Sequence, residues 1–65
     1  MNIEINGIPK TTTAKSLSEL CAMEGFGETK IATAINGTFV PANARDTQIL
    51  KTDDKIEIVT PRQGG

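Results

Sequence analysis

The chain closes on Gly64-Gly65, and these residues are its best candidates for chemistry. A diglycine end offers an α-carboxylate on a backbone that lacks Cβ atoms. Such a segment threads a channel too narrow for ordinary side chains and takes φ/ψ values closed to them. The competing reading is a frayed end, because chain ends are commonly disordered whatever their sequence.

No other constellation of side chains competes. The 65 residues include no histidine, tryptophan or tyrosine and a single cysteine, Cys21. Without histidine the usual general base and the commonest metal ligand are both missing. One thiol makes neither an internal disulfide nor a cysteine-based zinc site, so no metal is expected. Cys21 reads as a small buried hydrophobe, since the chain has no histidine to activate it.

Small secreted domains usually carry several disulfides, which makes a reducing cytoplasm the expected compartment. The net charge is −1 and the seven Lys and Arg residues form no cluster, which argues against nucleic acid and anionic membrane as partners. No apolar run approaches the roughly 18 residues of a membrane span. No basic-then-apolar leader is expected at the start. A chain of this size buries only about 60% of its unfolded surface, enough for one core but not for a deep catalytic cleft.

The rest of the chain must position the diglycine. Met1, Ile3 and Ile5 alternate with Asn2 and Glu4, the period-two pattern of a half-buried strand. Asn6-Gly7 suits a type I′ hairpin turn. Ile8 to Thr12 then returns antiparallel, and Pro9, with no N–H for the ladder, places that strand at an edge. Ser16 and Glu19 fit a capping box that opens a helix of about nine residues, closed by Gly25. A helix that short needs tertiary packing, and Leu17, Leu20 and Cys21 form its apolar stripe.

Ile31 to Ile35 reads as a third strand with its isoleucines inward. Asn36-Gly37 is a second hairpin signal, and Thr38-Phe39-Val40 is a short strand stopped by Pro41. Residues 42–48 read as polar and irregular, Ile49 and Leu50 as a further core anchor, and Thr52-Asp53-Asp54 as a turn. In the last strand, Lys55 to Thr60, Ile56 and Ile58 oppose Glu57 and Val59.

Two hairpins and one helix predict an α+β domain, with a mixed sheet of about five strands and the helix packed across one face. The last strand fits between the first and the third, parallel to the first, with residues 42–48 supplying the long connection that parallel neighbours require. That arrangement is the β-grasp, or ubiquitin-like, fold. Residues 1–60 would form the domain and residues 61–65 a flexible tail.

The stretch Ala34-Ile35-Asn36-Gly37, then Val40-Pro41, Leu50 and Asp54, and finally Ile56 through Gly65 resembles the ThiS family of thiamine-biosynthesis sulfur carriers. The first half agrees in layout. The chain departs from the family pattern at Ala42, where a basic residue is common, and at Thr52-Asp53-Asp54, where Asp-Gly-Asp is usual.

The resemblance implies a protein substrate rather than an enzyme. Gly65 would be adenylated by an E1-like, ThiF-like adenylyltransferase that uses ATP and Mg²⁺. A persulfide sulfur donor would then convert it to a thiocarboxylate, and a ThiG-like thiazole synthase would take the sulfur into the thiazole ring of thiamine. Adenylation suits a carboxylate, which is a poor electrophile until it carries a good leaving group. The chain has no Walker-type glycine-rich loop, so phosphate binding falls to the partner and no cofactor is expected on this chain.

Arg62, Gln63 and Gly64 would line the partner's channel, with Arg62 able to pair with acidic groups there. The open sheet face is the expected docking surface, with Phe39 and Val59 exposed and Ala34 nearby. In the opposing reading, Phe39 packs against the helix or residues 26–30. Three other functions need weighing. They are a molybdopterin synthase small subunit (MoaD-like), a ubiquitin-like modifier joined to lysines, and an interaction module with an incidental Gly-Gly.

Overall fold

Both Asn-Gly pairs reverse the chain. In the computed structural model, which describes residues 1–27 and 30–60, Asn6 and Gly7 take φ 52° and 82° between β1 (Asn2–Ile5) and β2 (Ile8–Thr11). Asn36 and Gly37 take φ 51° and 85° between β3 (Ala32–Ile35) and β4 (Thr38–Val40). Positive φ at both central residues is the type I′ geometry whose twist matches the flanking strands, and asparagine and glycine tolerate it best.

β5 (Lys55–Val59) lies between the hairpins, giving the strand order β2-β1-β5-β3-β4. It runs parallel to β1, with Glu4 opposite Lys55 and Ile5 opposite Ile56. It runs antiparallel to β3, from Ala32 opposite Val59 to Ile35 opposite Ile56. β2 is an edge strand, as Pro9 requires. This mixed five-stranded sheet with one helix is the expected β-grasp fold.

The helix α1 (Leu17–Met23) is shorter than the expected nine residues. Ser16 Oγ accepts from the Glu19 N–H at 3.1 Å, as an N-cap should. The reciprocal arm differs from the predicted box. Glu19 Oε1 accepts from the Lys15 N–H at 2.7 Å instead of that of Ser16. The cause is tertiary, because bonds from Leu17 N–H to the Gln48 carbonyl and from Leu50 N–H to the Lys15 carbonyl, each 2.9 Å, hold the helix entry extended. Gly25 at φ 90° ends the helix. The Gly25 N–H bonds Ala22 O and the Phe26 N–H bonds Cys21 O, the pairing of a Schellman motif.

Leu17, Leu20 and Cys21 face the sheet and meet a core that includes Ile3, Ile35, Ile56 and Ile58, all buried. Three expectations need correction. The third strand begins at Ala32 and not at Ile31, although the isoleucines do point inward as expected, Ile35 buried and Ile31 half-buried against the core, with Thr33 between them. Leu50 is a core residue but Ile49 is 57% exposed, since neighbours in an extended segment point to opposite sides. The crossing segment contains a 3₁₀ turn (Ala42–Ala44) where irregular chain was expected. No helix among the described residues is long and apolar enough to cross a membrane.

Candidate functional site

Gly65, Gly64, Gln63 and Arg62, the expected reactive end and its approach, lie outside the described residues. What the structure defines is the strand from which they continue and the face beside it.

Asparagine side chains bracket β5 at both ends. The Asn6 carboxamide accepts from the Ile58 N–H and donates to the Ile58 carbonyl, each at 2.9 Å. Near the start of the strand, Asn36 Oδ1 accepts from the Lys55 N–H at 2.9 Å and the Asn36 N–H donates to the Lys55 carbonyl at 2.8 Å. Asn36 Nδ2 also donates to Asp54 Oδ1 at 3.0 Å, and Asp54 Oδ2 accepts from the Lys51 N–H at 2.8 Å. Asp54 is buried with both carboxylate oxygens bonded, as burial of a charge requires. Sequence reasoning assigned these asparagines to turns alone. No local signal marks this role, because a type I′ turn favours asparagine at its first central position whatever the side chain bonds.

β5 presents Glu57, between its brackets, and Val59, just past the second, on the face opposite α1. Val59 is 57% exposed and Phe39 is 65% exposed, while Ala34, directly opposite Phe39, is half-buried. These three line a shallow, largely apolar depression with Asn6, Ala32 and Glu57. Phe39 therefore lies on the open face and does not pack beneath the helix. Its neighbour Val40 is the β4 residue that enters the core.

Cys21 stands on the other side of the sheet, 5% exposed and without a disulfide. Burial raises its thiol pKa above the ordinary 9.0, partly offset by the nearby Arg45 charge. A neutral, enclosed thiol is a poor nucleophile. Among the described residues no cluster of three or more His, Cys, Asp or Glu side chains could hold a metal ion.

Sequence reasoning also missed Arg45, in the segment read as irregular. Its guanidinium donates to Thr33 Oγ1 at 3.0 Å and to the Ile31 carbonyl at 2.7 Å, which ties the crossing segment to the start of β3.

Comparison with known proteins places this geometry in context. A crystal structure of a thiamine biosynthesis protein (ThiS) from Geobacter metallireducens superposes with a TM-score of 0.82 at 26% identity, covering 100% of both chains. An NMR solution structure of a thiamine biosynthesis protein from the same organism gives 0.80 at 25% identity, covering 100% of this chain and 88% of the other. A search of curated proteins found no match. The ThiS family pattern itself matches residues 3–65, from the first strand through the diglycine. The chain belongs to the ThiS family.

Proposed function

We propose that this chain is a sulfur carrier of thiamine biosynthesis that bears its sulfur as a thiocarboxylate on Gly65. The observation that carries this reading is the family match, which runs to residue 65 and so includes Gly64-Gly65. In the proposed cycle an E1-like adenylyltransferase, with its own ATP and Mg²⁺, converts the Gly65 carboxylate to an acyl-adenylate. The terminal sulfur of a persulfide donor attacks the acyl-adenylate and displaces AMP to give an acyl disulfide. A thiol then reduces its S–S bond to free the thiocarboxylate, which gives its sulfur to a thiazole synthase. Adenylation divides one difficult substitution into two easier ones.

The chain acts as a substrate and not as an enzyme, and its fold supports that role. The tail continues from the central strand, bonded on both sides, so the point of departure is held firmly. The depression lined by Phe39, Val59 and Ala34 offers a partner apolar area beside that point. Arg62, Gln63 and Gly64 would occupy the channel leading to the partner's active site.

The test uses the purified chain, the E1-like partner, ATP and a sulfur source, read by intact-mass spectrometry. The native chain should gain the mass difference between sulfur and oxygen. A chain extended by one residue after Gly65 should not, because the carboxylate then sits about 3.5 Å from its proper place. Attack on ATP tolerates far less displacement than that. Thiolation of the extended chain at the native rate would overturn the terminal-acyl mechanism.

A further inference from the structure

At Asn6 the backbone ladder between β1 and β5 runs out. The Asn6 N–H still donates to the Ile56 carbonyl at 2.8 Å, but at φ 52° the chain turns away toward β2. The next rung on this side of β5 would need a carbonyl and an N–H opposite Ile58. The Asn6 carboxamide supplies both, with its Oδ1 taking the Ile58 N–H and its Nδ2 bonding the Ile58 carbonyl. On its other side, β5 is paired with β3 as far as Val59 opposite Ala32. One side chain therefore completes the two-sided hold on β5 two residues before Thr60, the last described residue ahead of the tail.

We propose that Asn6 is a positioning residue for activation of Gly65, acting through Ile58 to fix where and in which direction the tail leaves the sheet. This rests on the sulfur-carrier reading and adds a specific residue to it. The chemical basis is geometric. The reacting carboxylate lies seven residues beyond Ile58, so the point and direction at which β5 ends set where its path to the partner's active site begins. Reaction rates fall about a hundredfold for misplacements near 1 Å. Asn6 borders the docking depression, but the exposed apolar area there comes from Phe39 and Val59, so loss of the carboxamide should affect turnover more than binding.

Asn6→Gly is the clean substitution, because glycine accepts the positive φ and removes only the side chain. Asn36→Gly is the control, and the more demanding of the two for stability because it also removes the bond to buried Asp54. Asn36 has nearly the same φ and also clamps β5, but at the end away from the tail. Adenylation by the E1-like partner would be followed by pyrophosphate release, at a temperature where circular dichroism shows each protein folded. Amide hydrogen exchange at Ile58 would report the clamp directly.

Asn6→Gly should lower kcat about tenfold or more, leave KM within about twofold and speed Ile58 exchange. Asn36→Gly should keep kcat near the native value. Asn6→Asp keeps the acceptor for the Ile58 N–H but loses the donor to its carbonyl. It should fall between native and glycine variants, and it decides the matter if Asn6→Gly does not fold. Equal loss of kcat in Asn6→Gly and Asn36→Gly would reduce the role to general stability and overturn the proposal. So would native turnover in Asn6→Gly, or in Asn6→Asp if that variant has to serve. If the native chain itself is not adenylated, the sulfur-carrier reading falls and this one with it, whereas native turnover in an Asn6 variant beside an active native chain removes this proposal alone.

Discussion

Arg45 Nε donates to Thr33 Oγ1 at 3.0 Å, and that same hydroxyl donates to the Val40 carbonyl at 2.8 Å. Thr33 is 2% exposed at an inward position of β3, so its hydroxyl must be satisfied within the protein. Arg45 and Val40 do this from two elements that the sequence separates. Arg45→Ala should cost about 1–3 kcal/mol, by removing two charge-assisted bonds and leaving the Ile31 carbonyl short of a partner. Arg45→Lys should recover less than half of that, because an ammonium lacks the planar fork. Urea denaturation midpoints of the two variants check this, and a native midpoint in Arg45→Ala would show the contact to be dispensable.

Leu20 is fully buried in the helix–sheet contact. Leu20→Ala should cost about 2–5 kcal/mol through the cavity it leaves, a large share of what so small a domain possesses. An unaltered chemical-denaturation midpoint would contradict its place in the core.

Asp53 takes φ 72° in the turn before β5, where the family commonly has glycine. Its backbone N–H bonds the Asn2 carbonyl at 2.7 Å, a contact that any residue preserves. Asp53→Gly should therefore raise stability by about 0.5–1 kcal/mol, relieving left-handed strain that exceeds glycine's entropic cost. A lower melting temperature in the glycine variant would show that the aspartate side chain contributes something the strain argument omits.

The buried Cys21 thiol has a pKa raised by burial, so its neutral form is favoured in the folded state. The sign follows directly. The stabilisation is present in full below the unfolded value near 9.0 and is lost as pH rises through the higher folded value. The native chain should lose stability on this alkaline limb more steeply than Cys21→Ala, compared by denaturation midpoints at a series of pH values. Cys21→Ala should still be thiolated at Gly65, and loss of thiolation in a folded variant would bring the thiol into the mechanism.

Phe39 and Val59 are exposed, so changing both to serine should alter stability by less than about 1 kcal/mol. Binding to the activating partner should weaken at least fivefold, a cost of about 1 kcal/mol that only the contributing minority of interface residues reaches. Titration calorimetry with the partner checks this. Native affinity in the double variant would move the docking site elsewhere.

Much of this protein was legible in its order of residues. Asn6-Gly7 and Asn36-Gly37 specify their hairpins because few residue pairs accept two consecutive positive φ angles. Ser16 and Gly25 mark the helix ends for equally local reasons, and Ile56 and Ile58 show by alternation which face of β5 is buried. Tertiary structure decided what these residues do across the chain. Asn6 lies 52 positions from Ile58, and no local pattern reveals that its carboxamide serves as the missing rung of a ladder. Arg45 looked like one charge in a polar stretch until the fold set it against Thr33 and Ile31. Ile49 and Leu50 were indistinguishable by composition, and only the crossing segment's path turned one inward and the other to solvent. Local conformation follows from each residue's own sterics, whereas hydrogen-bond partners and burial depend on which distant segments the sheet brings together.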